Sequence, residues 1–148
     1  MKTNLKSSSA TAVSLIVGLA LAALCKLIYD LFNGYAAVPN LFAAFGIFPS
    51  DIALAALQFL ALATLAFLVG RSLLNAIAGS PGRVVWISAL PWIALSVWGI
   101  VSGMIGENRA MLLERASSYF LLLSASLLMI LAVPFGLWLA YRGERADA

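Results

Sequence analysis

The chain has 148 residues, 64% of them apolar and 10% charged, with a formal net charge of +3 and no histidine. A water-soluble domain of this length has too much surface for its volume to hide so many apolar side chains, so lipid must be the solvent for much of it. The missing histidine excludes bis-histidine haem ligation, most zinc and copper sites, Ser-His nucleophile activation and histidine proton relays.

The single cysteine, Cys25, excludes an intrachain disulfide and argues against a thiolate metal cluster. No metal or other cofactor is expected. The nine basic residues stand singly at the ends of apolar runs instead of forming a patch. That is the pattern of membrane anchoring, not of a phosphate-binding surface, so the expected partner is the lipid bilayer and not nucleic acid.

The chain opens on a polar segment, residues 1–11, with Lys2, Lys6 and Ser7-Ser8-Ser9. Four apolar runs follow, at 12–32, 52–70, 84–106 and 119–141, of 21, 19, 23 and 23 residues. A helix needs about 20 residues to span the hydrocarbon. Backbone exposed to lipid must satisfy its own hydrogen bonds, and the runs lack the alternating polarity of a β-barrel, so they are expected to be helices. The predicted fold is an all-α integral membrane domain, a bundle of four transmembrane helices occupying the whole chain.

Basic residues in the short flanks set the orientation. Lys2, Lys6, Arg71, Arg83, Arg142 and Arg145 fall on one side, and only Arg109 and Arg115 on the other. Both termini are therefore expected in the cytoplasm, in a bacterial-type inner (plasma) membrane. The first run also has the basic start and Ala20-Leu21-Ala22 of a signal peptide, whose cleavage would leave three spans. Its apolar sequence continues through Leu27-Ile28-Tyr29, which favours retention.

The outer connection 33–51 has Asp51 as its one charge and carries Tyr35, Phe42, Phe45 and Phe48. Asn40 is a candidate cap for a short helix from Leu41 to Ile47, and Ser50 or Asp51 for the second span. Such a segment is expected in the headgroup layer, as packing or as a hydrophobic docking surface. The inner connection 71–83 ends in Gly79-Ser80-Pro81-Gly82, a helix stop followed by a turn, which predicts an antiparallel hairpin of the second and third spans. The second outer connection, 107–118, carries Glu107, Arg109, Glu114 and Arg115 and is expected to extend the fourth helix.

Within the spans, Lys26 and Asp30 stand four residues apart and so share a helical face. An intramembrane charge is by default a candidate functional site. Lys26 lies about 9 Å from the end of its run, a distance a lysine covers by snorkelling. Asp30 is harder to explain, because the helix dipole disfavours an anion at the C-terminus. Gln58, Ser102, Ser124 and Ser126 fall in the same outer third, so Lys26, Asp30, Gln58, Ser102 and Ser124 form a candidate outer polar layer for a ligand or partner. The inner half offers Ser14, Thr64 and Ser88, which argues against a continuous polar path through one chain.

Small residues recur at four-residue spacing in Ser14-Gly18-Ala22, Ala66-Gly70, Gly99-Gly103 and Ala132-Gly136-Ala140. Such stripes let helix backbones approach. In so alanine-rich a chain only Gly99 and Gly103 stand out as candidate packing residues. Pro91 and Pro134 are expected to kink the third and fourth spans. Trp86 and Trp138 fit an inner aromatic belt, and Trp92 a packing role.

Serine without histidine, and carboxylates only at the margins, leave no catalytic set; nor is there a phosphate loop, a Gly-x-Ser-x-Gly elbow or an HExxH motif. The expected function is that of a small non-catalytic accessory, regulatory or immunity-type partner of another membrane protein or of a membrane-active toxin. The alternative is a small-solute transporter or channel component that forms its path by homo-oligomerisation.

Overall fold

The computed structural model describes residues 7–33, 37–47, 49–77, 80–106 and 116–146, with side chains at all of these except 7–8, 103–106, 116–127 and 145–146. The described chain is all-helical: α1, Ser7–Phe32; α2, Ala37–Ala44; α3, Asp51–Ala76; α4, Pro81–Gly106; and α5, Ala116–Ala146. Three stretches are long and apolar enough to cross a membrane, Ser9–Phe32, Asp51–Ala76 and Pro81–Ser102. At about 1.5 Å per residue their 24, 26 and 22 residues extend about 36, 39 and 33 Å, against about 30 Å of hydrocarbon.

The helix ends follow local chemistry. Ser50 caps α3, its hydroxyl oxygen accepting from the Ala53 amide at 3.3 Å, and Asp51 places a negative charge in the first turn. At the other end α3 stops at Ile77, which is extended and donates its N–H to Leu73 O at 3.0 Å.

Two local expectations change. Pro81 and Gly82, expected in a turn, form the first turn of α4, with Ser80 O accepting from Arg83 and Val84. Proline fits there because its φ is preset for a helix and the first-turn amides have no partner to lose. The short outer helix begins at Ala37, so Asn40 lies inside it and is not its cap. Pro39 is again accommodated by the first turn. Beyond α2, Phe42 O accepts from both Phe45 and Ile47, and Gly46 takes a φ of 70°, where a side chain would be strained. The expected extension over 107–118 falls mostly outside the described residues, which resume at Ala116.

The four long helices pack in the cyclic order α1, α4, α5, α3, and α3 returns to α1. The closest pair is α3 with α5, then α1 with α4. Contacts along α3 and α5 advance in the same direction, Ala63 and Ala66 at Gly136 and Gly70 at Leu137 and Ala140, so these two are parallel. The expected hairpin of the second and third spans is one of connection and not of packing: α3 and α4, though joined by a short connection, barely touch. The reason is the position of the small residues, which give each of them a closer neighbour elsewhere.

Between the helices lies an apolar core whose largest fully buried members include Leu21, Leu62, Val133 and Leu137. Outward faces are equally apolar, with Leu19 of α1, Leu60 of α3, Leu90 and Trp98 of α4 and Leu131 of α5 exposed. Apolar surface on every side is a surface for lipid.

Candidate functional site

Lys26 and Asp30 occupy adjacent turns of α1, and their side chains meet. The Lys26 ammonium donates to Asp30 Oδ1 at 2.5 Å and to Oδ2 at 2.6 Å, and lies 5.9 Å from the Tyr29 ring centre. The pair faces outward: the side chains are 49% and 28% exposed, whereas Ser14, Gly18, Leu21 and Cys25 form the buried side of the same helix. Asp30 stands in the last turn of α1, opposed by the helix dipole, so the lysine is what neutralises it.

Gln58 has a different environment. It is 4% exposed, and its Oε1 accepts from Asn33 Nδ2 at 3.3 Å. Asn33 also donates to Tyr29 O at 3.1 Å, so it both closes the end of α1 and ties it to α3. The Gln58 amide nitrogen is buried and has no hydrogen-bond partner among the described residues.

The sequence-predicted layer thus separates into parts. Lys26 and Asp30 form one contact on the flank of α1, and Gln58 belongs to a second at the seam of α1 and α3. Ser102 is exposed and donates to Gly99 O of its own helix at 3.1 Å. Ser124 and Ser126 lie on α5, with their side chains outside the described ones. Asn33 was missed by sequence reasoning, yet it had a signal: it follows Lys26 and Asp30 at the i, i+4, i+7 spacing of one helical face.

Two polar links join the helices near the other end and the middle. Ser88 Oγ reaches Ser14 O at 3.1 Å and Val84 O at 2.9 Å, so its one hydrogen serves α1 and its own helix. Trp92, 3% exposed, donates its indole N–H to Met129 O at 3.3 Å. Its expected packing role therefore comes with a polar contact between α4 and α5.

At Gly99 a methyl group would meet nothing within 4 Å among the described residues, and Gly103 lies outside the described side chains. Close approach is instead made by the stripes that looked like compositional chance. A Cβ on Gly18 would stand 2.6 Å from Ser88 O, and one on Gly136 2.1 Å from Ala63 O. Both obstacles are backbone oxygens, so only glycine allows these helices to come so near.

At the C-terminal end of α5, Arg142 lies 5.4 Å from the Trp138 ring centre, and Trp138 stacks on Phe135 at 6.1 Å. Compared with protein-family models, with curated proteins and with solved structures, the chain finds no match; its function has to be read from its own residues.

Proposed function

We propose that this chain is a four-span protein of a bacterial-type inner membrane, both termini cytoplasmic, acting as a non-catalytic accessory, regulatory or immunity-type partner of another membrane protein or a membrane-active toxin. The fourth span is α5, whose apolar run 119–141 lies in a helix of 31 residues parallel to α3. The six-to-two distribution of basic residues supports the orientation, and the Arg142–Trp138 contact is the kind that anchors a helix end in the headgroup layer.

The observation that carries the partner reading is the filled interior. Leu21, Leu62, Trp92, Val133 and Leu137 close the space between the helices, and Asn33–Gln58, Ser88–Ser14 and Trp92–Met129 link helices across it, with the Gln58 amide nitrogen left without a partner among the described residues. Work done by such a body falls to its outside. There α2 and the residues after it present Leu41, Phe45 and Ile47, all exposed and uncharged.

Affinity purification in a mild, non-denaturing detergent tests this. A stoichiometric membrane-protein partner supports the reading. The isolated chain carrying solute in vesicles would overturn it.

A second reading, a small-solute transporter or channel component whose path forms between copies of the chain, has one observation in its favour. The open face of α4 at Gly99, with Trp98 and Leu95 exposed beside it, leaves room for a second backbone. Solute flux through a homo-oligomer would establish it.

A further inference from the structure

A lysine near the end of a membrane helix can reach the headgroups unaided. An aspartate in the last turn gains nothing from the helix dipole and weakens it. Together the two expose an ammonium and a carboxylate, side by side, on a flank of α1 that the described residues leave partly open. Asp30 is two residues from the end of α1, about 3 Å along the axis, which puts the pair within reach of the headgroups when α1 spans a bilayer.

The pair is neutral as a whole but strongly dipolar. The lysine has three N–H groups, of which the carboxylate engages part, and the carboxylate retains lone pairs beyond those facing the lysine. What completes it is a group of opposite polarity order: an anion to accept from Lys26 and an N–H cation to donate to Asp30.

We propose that the flank of α1 at Lys26 and Asp30 is a binding site for a zwitterionic phospholipid headgroup carrying a primary ammonium, of the phosphoethanolamine type. The headgroup phosphate accepts from Lys26 while its ammonium donates to Asp30. A choline headgroup has the charge but no N–H to donate, and a phosphatidylglycerol headgroup has hydroxyls to donate but brings no cation to offset its net negative charge beside Asp30. Tyr29, half-exposed beside the lysine, places a ring at the same level, where aromatic residues favour the interface.

Native mass spectrometry of the delipidated full-length protein in detergent tests this. The probes are phosphatidylethanolamine, phosphatidylcholine and phosphatidylglycerol with identical acyl chains. The expected result is about tenfold preferential retention of the ethanolamine lipid, the value of one charge-assisted hydrogen bond. Asp30→Asn should bring the ethanolamine and choline lipids to equal retention, and Lys26→Met should remove the preference as well. Far-ultraviolet circular dichroism checks that each variant keeps its helices, and Lys26→Arg, which retains the cation, should keep the preference. Free phosphoethanolamine at the same concentration should not compete, because the lipid tails hold the headgroup at the site.

Equal retention of the three lipids, or a preference unchanged in both variants, overturns the proposal. Stronger retention of phosphatidylglycerol lost in Lys26→Met alone does so too, since it would reduce the site to a phosphate contact. Effective competition by free phosphoethanolamine would overturn the lipid assignment. So would release of a co-purifying membrane protein by Asp30→Asn with no change in lipid retention, because the flank would then contact protein.

Discussion

Adding one methyl group at each of four glycines grades the helix contacts directly. At Gly136 the new carbon would lie 2.1 Å from Ala63 O and 2.9 Å from Ala66 Cβ. Because the nearest obstacle is backbone, α3 and α5 must separate, and overpacking of this severity costs about 2–3 kcal/mol, the upper part of the usual range. Alanine in place of glycine in a helix returns about 0.5–1 kcal/mol, so Gly136→Ala should lose about 1–2.5 kcal/mol net. Gly18→Ala, 2.6 Å from Ser88 O, belongs to the same class. Gly70→Ala meets first the Leu137 Cδ2 methyl at 2.9 Å, the far end of a side chain that can rotate, and should lose less than about 1 kcal/mol. Gly99→Ala meets nothing within 4 Å among the described residues and should be neutral or stabilise by up to about 1 kcal/mol. Equilibrium unfolding in mixed micelles, titrated with sodium dodecyl sulfate and followed by circular dichroism, measures all four. If Gly99→Ala proves as damaging as Gly136→Ala, or Gly136→Ala is harmless, the assignment of the helix contacts is wrong.

Other outcomes follow from individual contacts. Trp92→Phe keeps most of the buried ring but deletes the hydrogen bond to Met129 O, and should cost about 0.5–1.5 kcal/mol plus a small packing loss in the same titration. Leu137→Ala, at a fully buried position, should cost about 2–5 kcal/mol. Ser88→Ala removes the reach to Ser14 O and should cost about 0.6 kcal/mol, the usual value of an interhelical hydrogen bond in a membrane; a loss above about 2 kcal/mol would mean that Ser88 does more than link two helices. For the orientation, a reporter fused after Ala148 should read cytoplasmic and fusions within 35–48 or 108–116 periplasmic; a periplasmic reading at Ala148 would refute the charge argument.

The sequence by itself determined that lipid surrounds much of this chain, because no fold of this length can bury so large an apolar fraction. It determined helices over strands, because lipid-exposed backbone must close its own hydrogen bonds. It placed Lys26 and Asp30 on one face, because four residues are about one turn, and their side chains do meet. What it could not indicate was which faces look inward. In a water-soluble helix the apolar stripe marks the core, but here Leu21 in the interior and Leu19 on the outside are the same residue type, and lipid accepts both. The inward faces are set by close fit instead: Gly18 against Ser88, Gly136 against Ala63 and Trp92 against Met129. Complementarity of that kind belongs to pairs of helices: the Gly18 and Gly136 stripes are visible in the sequence, but nothing in one helix tells which of several such stripes meets a partner. The tertiary structure therefore decided that α3 packs on α5 and not on its chain neighbour α4, that Gln58 pairs with Asn33 away from Lys26, and that the ion pair faces outward.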